Sequence, residues 1–281
     1  MNGKLYLVAT PIGNLEDITL RALKILKEVD LIAAEDTRNT LKLLNHFKIT
    51  KPLISYHRHN EEIKVDNLIS KLKNGENIAV VSDAGTPGIS DPGEVIVKSA
   101  IENNIEVIPI PGACAAINAL IASGLDTKEF TFYGFLPLNK KARREKLNEL
   151  KNETKTAIIY EAPHKLQNTL EDLKKIVEKR KIVLGREITK IHEEFIRGNI
   201  EEIISKSTNL KGEMIILLEG ATKKEEEKNI NKLSIEEHYN YYKNLGLDKK
   251  EIIKKISKDR GVSKNEIYIK FVKDKNNNRF Y

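Results

Sequence analysis

Short apolar runs and amphipathic stretches alternate along the first part of the chain. Leu5–Ala9, Leu31–Ala34, Leu53–Tyr56, Ile78–Val81 and Val107–Ile110 have the length and composition of buried strands. Between them Leu20–Lys27, Thr40–Phe47, Val65–Leu72 and Val95–Ile101 repeat apolar residues at helical spacing. Strands alternating with helices predict βαβ units and a mainly parallel sheet. Pro109-Ile110-Pro111-Gly112 reads as a break, which places a first domain at 1–112. A second domain is expected over 113–222. Its strands are predicted at Phe130–Phe135, Ala157–Tyr160, Ile182–Leu184, Glu194–Arg197 and Met214–Leu218, and its helices at Lys140–Leu150 and Leu166–Ile176. Lys190–Gly198, running into Asn199, looks like a hairpin return, so the second sheet is expected to be mixed. The fold class is therefore α/β, with a parallel sheet followed by a mixed one.

The pattern changes again after residue 222. Lys223–Lys232 has almost no apolar content and reads as a linker. Beyond it, Ser234 precedes Glu237, Asp248 precedes Glu251 and Ser263 precedes Glu266, each a capping-box spacing that opens a helix. Asp259-Arg260-Gly261-Val262 is a glycine turn between the last two helices, so 233–281 is expected to be a small helical domain of helix-turn-helix type. Charge sharpens this reading. Lys223–Tyr281 holds 16 Lys plus Arg against 10 Asp plus Glu, nearly all of the chain's net +7. A basic tail on a near-neutral body suits a polyanionic partner, the bland alternative being a lysine-rich solvated surface or a plain packing bundle. One cysteine rules out an internal disulfide and fits a reducing compartment. The apolar run at Leu5–Ala9 is too short for a signal peptide or a membrane span, and a cytoplasmic protein is expected.

The densest chemical signal is Ser82–Gly93, S-D-A-G-T-P-G-I-S-D-P-G, directly after an apolar strand. Open α/β sheets place their ligands on such a glycine-rich loop between strand and helix. Glycine permits close backbone approach and positive φ, while proline stiffens. Within this loop Asp91, just before Pro92, reads most simply as a helix N-cap, and Asp36-Thr37 has the same capping alternative. Cys114 reads as a small buried apolar residue. His57 and His59 are closely spaced but lack further ligands at zinc-like spacing, so no metal is expected.

Several motifs then occur in a telling order. They are T-P-I-G-N-L (Thr10–Leu15), A-A-E-D-T-R (Ala33–Arg38), S-Y-H-R-H-N-E (Ser55–Glu61), S-D-A-G-T-P (Ser82–Pro87) and P-G-A-C-A-A (Pro111–Ala116). G-F-L-P (Gly134–Pro137), Y-E-A-P-H-K (Tyr160–Lys165), R-E-I-T-K (Arg186–Lys190) and K-G-E-M (Lys211–Met214) follow. From Leu5 to about Gly220 the chain resembles the small-subunit (16S) ribosomal RNA cytidine-2′-O-methyltransferases of the tetrapyrrole methylase superfamily, and the tail resembles their C-terminal helical domain more loosely.

That resemblance implies two unlike α/β domains with S-adenosylmethionine folded into the cleft between them, a ribosomal RNA substrate in the small subunit, and a homodimer. No G-x-G-x-x-G follows the first strand; Thr10-Pro11-Ile12-Gly13 takes its place. Carried over by position, cofactor contacts are expected from Pro11, Gly13, Asp83, Gly85, Thr86, Ile89, Cys114 and Ala115, and from Tyr160, Arg186 and Met214 in the second domain. The loops after the second and third strands should lie beside the glycine loop. Arg38, His57, Arg58 and His59 suit RNA phosphate and ribose, and Glu61 is placed with them on the substrate side. Candidate catalytic groups are Asp36, Glu35 and His57, with Asp36 preferred because it lies one step further out from the strand. A small-molecule methylase of the same superfamily and a non-catalytic RNA-binding assembly factor remain as rivals. The basic tail argues against the first and the intact Asp83–Pro87 loop against the second.

Overall fold

A computed structural model describes residues 1–177, 179–222, 230 and 233–269. Ten strands and eight helices make up its larger compact unit, Met1–Leu150 with Lys155–Glu219. The first five strands are β1 (Leu5–Val8), β2 (Leu31–Ala34), β3 (Leu53–Ser55), β4 (Ile78–Val81) and β5 (Val107–Ile110). They form one all-parallel sheet in the order β3-β2-β4-β1-β5.

Helices α1 (Leu20–Glu28), α2 (Thr37–His46), α3 (Glu61–Lys73) and α4 (Glu94–Glu102) cover both faces of this sheet. Strand alternation sorts the core. Ile78 and Val80 pack with α3 and α4, while Ala79 and Val81 pack with α1 and α2. Because both faces are buried, the strands read as continuous apolar runs, which is why they stand out in the sequence.

One expectation needs correcting here. Pro109 lies inside β5, opposite Leu7, rather than in a break. Strand β5 is an edge, and an edge is where a sheet tolerates a residue that lacks an N–H.

The second sheet is built from β6 (Phe130–Phe135), β7 (Thr156–Glu161), β8 (Ile182–Arg186), β9 (Glu194–Gly198) and β10 (Met214–Leu218), in the order β6-β7-β10-β8-β9. It is mixed: β6 runs parallel to β7, and the other pairs are antiparallel. On its outer face lie α6 (Lys140–Asn152), α7 (Leu166–Val177) and α8 (Ile200–Lys206). On the inner face α5 (Ala115–Ser123) packs against Ile158, Val183, Ile215 and Leu217. Ile12, from the loop after β1, is buried in that same inner cluster.

Neither α5 nor α8 is among the helices expected from the sequence pattern. Helix α5, A-A-I-N-A-L-I-A-S, is apolar almost all round and has no amphipathic signature. Helix α8 is only seven residues long, although Asn199 and Glu202 form a complete capping box at its start.

The smaller unit joins Gly220–Tyr281 with Lys151–Thr154. Its described helices are α9 (Ile235–Asn244), α10 (Lys249–Arg260) and a turn of helix over 264–269. Capping boxes open α9 at Ser234 and α10 at Asp248, and Gly261, at φ +64°, ends α10 in the left-handed conformation. Tyr242, Ile252, Ile256 and Ile267 form its small core. The Lys223–Lys232 linker, except Ile230, and the chain after residue 269 lie outside the described residues.

Candidate active site

Strand β4 is the central strand of the first sheet, and its carboxyl end releases the chain into Ser82–Gly93. The loop is pinned on several sides. Thr10 and Gly85 exchange backbone hydrogen bonds at 2.9 and 3.1 Å, a two-way bridge between the loops after β1 and β4. The Thr86 hydroxyl donates to the Ala113 carbonyl at 3.1 Å. Gly85 has φ +88°, and a Cβ there would stand 3.2 Å from Ile12 Cγ2, so glycine is required at this turn.

Against this loop opens a cavity of about 360 Å³. Residues up to 112 line it with Ile12, Glu35, Asp83–Thr86 and Ile89–Asp91; the chain beyond adds Cys114, Ala115, Phe135, Tyr160, Met214 and Ile215. Tyr160 stands edge-on to Phe132 and Phe135, with ring centroids 5.0 and 5.6 Å away. Its hydroxyl accepts the Ala116 N–H of the first turn of α5 at 3.1 Å, and burial pushes its pKa up to about 12. It therefore acts as a neutral wall.

The predicted site residues fall into three groups. Asp83, Gly85, Thr86, Ile89, Cys114, Ala115, Tyr160, Met214 and Glu35 line this cavity. Pro11 and Gly13 line a separate one, of about 340 Å³, between the loop after β1 and α2, and only Asp83 lines both. Asp36, Arg38, His57, His59, Glu61 and Arg186 line neither.

Asp36, Arg38, His57, His59 and Arg186 of the last group make local contacts. The Arg186 guanidinium donates to the Lys211 carbonyl at 2.7 Å and pairs with Glu194 at 3.2 Å. His57 opens the turn into α3, its N–H donating to Asn60 Oδ1 at 2.8 Å, and it stacks edgewise on His59 at 6.0 Å. Asp36 is the N-cap of α2. Its Oδ1 accepts the Arg38 N–H at 2.8 Å, and its Oδ2 takes the Arg38 guanidinium at 2.6 Å. Those hydrogen bonds from Arg38 hold the Asp36 carboxyl down to about 2. Of the two carboxylates weighed at the end of β2, Glu35 lines the cavity, while Asp36 caps the start of α2.

Asp91 is the opposite case, and a correction. Helix α4 starts at Glu94 with Gly93 at its cap and no side-chain cap bond, so Asp91 caps nothing. It lies half-buried in the cavity wall beside Glu35 and Asp83. A D-P dipeptide before a helix resembles a cap in sequence; the one hint otherwise was the glycine immediately after it. Glu161, Ile188 and Glu213 line the cavity too and were missed.

A glycine turn, a crevice at the carboxyl end of parallel strands and an aromatic wall from a second, mixed sheet are the architecture of a tetrapyrrole methylase. The family described as Tetrapyrrole (Corrin/Porphyrin) Methylases matches residues 4–204. Solved structures share the fold. The uroporphyrin-III-C-methyltransferase of Thermus thermophilus superposes with a TM-score of 0.56 at 19% identity, covering 77% of this chain and 94% of that one. The methyltransferase CobJ does so at 0.60 and 16%, covering 78% and 95%.

Closer in sequence is the ribosomal RNA small subunit methyltransferase I of Halalkalibacterium halodurans, 53% identical over 95% of this chain and 93% of that protein. Its counterpart in Bacillus subtilis is 49% identical over the same shares. The chain belongs to the tetrapyrrole methylase family, in its branch of ribosomal RNA small-subunit methyltransferases. No described helix is long and apolar enough to cross a membrane.

Proposed function

We propose that the protein transfers a methyl group from S-adenosylmethionine to the ribose 2′-oxygen of a cytidine in the decoding centre of bacterial 16S ribosomal RNA. The observation that carries this reading is the cavity, which joins a glycine turn and carboxylates to an apolar, aromatic wall. The cofactor fits that donor set: Ile12, Ile89, Tyr160, Met214 and Ile215 give adenine an apolar slot, and the carboxylates suit ribose hydroxyls and a cationic methionine end. Gly85 and Thr86 bring backbone within reach, and Cys114 and Ala115 place the start of α5 beside it.

When bound, the cofactor supplies an activated methyl group on a good leaving sulfur. What remains for the chain is to align the acceptor oxygen, exclude water and take a proton. Alignment alone contributes on the order of 7–11 kcal/mol in favourable cases. Arg38 in the first turn of α2 and Arg58 and His59 on the loop after β3 are exposed, where they suit RNA phosphate and ribose. The basic tail is read as a further RNA contact, and the working form as a cytoplasmic homodimer.

The test is transfer of labelled methyl from S-adenosylmethionine to small ribosomal subunits lacking the modification, with the label mapped to its nucleotide. Label on a cytidine ribose supports the reading; label on a base, or none, overturns it. A chain ending at Ala221 should keep its cofactor affinity yet methylate subunits poorly, with the salt slope of RNA binding reduced by roughly 3–4 if the tail makes about four phosphate contacts.

A further inference from the structure

Five carboxylates, Glu35, Asp83, Asp91, Glu161 and Glu213, line the cavity. Four are committed to the fold. Glu161 accepts the Ala162 N–H at 2.8 Å and the Thr169 hydroxyl, and Glu213 pairs with Lys190 at 3.0 Å. Glu35 Oε2 accepts the Asp83 backbone N–H at 3.2 Å. Asp83 in turn accepts the Asp36 N–H and the Asn39 side-chain amide, both at 3.1 Å. Among the described hydrogen bonds, none carries a backbone N–H to Asp91. The Ser82 hydroxyl stands beside it.

The loop that presents Asp91 is tightly held. Ser90, its neighbour, has φ +65°, a left-handed conformation that residues with a side chain seldom adopt. Arg58 reaches across from the loop after β3 to the Ser90 carbonyl. The Gly88 N–H closes the loop onto the Pro92 carbonyl at 3.1 Å. Gly93 has φ +147°, and a Cβ there would come within 3.1 Å of the Gly88 nitrogen. Unusual backbone fixed by its surroundings is characteristic of positions that must hold a functional group in place.

We propose that Asp91 is the catalytic base that removes the ribose hydroxyl proton during methyl transfer, an inference that rests on the function proposed above. The Asp91 carboxylate takes that proton as the hydroxyl oxygen bonds to the methyl carbon and the carbon–sulfur electron pair leaves on sulfur. The products are the methyl ether, the thioether and a neutral Asp91 carboxyl, which returns its proton to solvent.

The surroundings suit this work. Burial first, and then the charge of Glu35, push the Asp91 pKa up to about 6, while Ser82 and Arg58 moderate the rise and Asp83 adds to it. A base tuned toward the working pH is more effective than an ordinary carboxylate. The titratable groups around it are Glu35 from the end of β2, Arg58 after β3, Asp83 after β4 and Tyr160 on β7.

The experiment uses the full chain with Asp91→Asn and Asp91→Glu, under single-turnover methylation of subunits lacking the modification, and measures S-adenosylmethionine affinity by calorimetry. Asp91→Asn should lower the rate by roughly 10²–10⁴-fold and leave cofactor affinity within about threefold, while Asp91→Glu recovers part of the rate. The parent rate should fall as pH drops through about 6, and that limb should vanish in Asp91→Asn. Independently of turnover, carbon-13 titration of the aspartate carboxyls should lose its signal near pH 6 in that variant.

An Asn variant within about tenfold of the parent, with its acid limb intact, overturns the proposal. So does a loss of cofactor affinity that matches the loss of rate, which would make Asp91 a cofactor ligand. A parent that binds the cofactor but methylates no ribosomal subunit overturns the functional reading and this proposal together; an active parent with an equally active Asn variant overturns this proposal alone.

Discussion

Both sheets have five strands, yet they give the cavity different things. The parallel sheet ends in loops at a single edge, and those loops bring glycine turns, three carboxylates and Arg58 to one place. The mixed sheet offers chiefly side chains from strand ends: Phe135, Tyr160, Met214 and Ile215 make a wall of apolar and aromatic surface, and its two carboxylates there, Glu161 and Glu213, are bonded to neighbours in the same half of the fold. Parallel topology gathers backbone and charge because every strand delivers its chain to the same side. Antiparallel topology sends alternate strands to opposite ends, so its contribution is surface rather than converging loops. Loss on the first side should therefore abolish binding or chemistry, and loss on the second should weaken affinity by degrees.

The largest expected effect tests the first side. Gly85→Val places a β-branched residue at φ +88° and drives its Cβ toward Ile12, so S-adenosylmethionine affinity should fall by at least about 100-fold in a chain that still folds. Calorimetry showing parent-like affinity for a folded variant would break the comparison. Tyr160→Ala tests the second side. It strips the wall and orphans the Ala116 N–H, and the affinity should fall roughly tenfold, with subunit methylation recovering at saturating cofactor. A loss as deep as that of Gly85→Val would show that the wall, too, is indispensable.

The smallest effect is on stability. Because the folded-state pKa of Asp91 is raised, its stabilising contribution is complete below the ordinary carboxylate value and is lost as pH climbs through about 6. Asp91→Asn removes that loss. Its advantage over the parent should be nil near pH 3, grow between about pH 4 and 6, and level off at roughly 1 kcal/mol by pH 8, allowing for solvent screening. Melting curves across that range check the sign.

Much of the fold could be read from the residues because burial writes a pattern into them. Strands covered on both faces are continuous apolar runs, and helices with one wet face repeat at helical spacing. Helix α5 escaped notice because its exposed face is apolar too: Ile117 and Ile121 lie in the open while Ala116, Ala119 and Leu120 are buried, which erases that contrast. The site was legible where glycine forces the backbone, at Ser82–Gly93, and where motifs meet in order. It failed where one residue type serves two purposes. Asp36 and Asp91 both precede helices; only the hydrogen bonds to Arg38 and the displaced start of α4 separate the cap from the cavity carboxylate.

Ile12, buried under the second sheet, and Gly13, whose absent side chain leaves room for the Lys190 stem, come from the loop after β1. Adding a Cβ at Gly13 would put it 2.2 Å from Lys190 Cγ. For anyone grafting halves between relatives, the seam is thus a joint with interlocking teeth. A chimera that exchanges the first half must carry the Thr10–Gly13 turn together with the Lys190 turn it meets, or both halves inherit a mismatched joint.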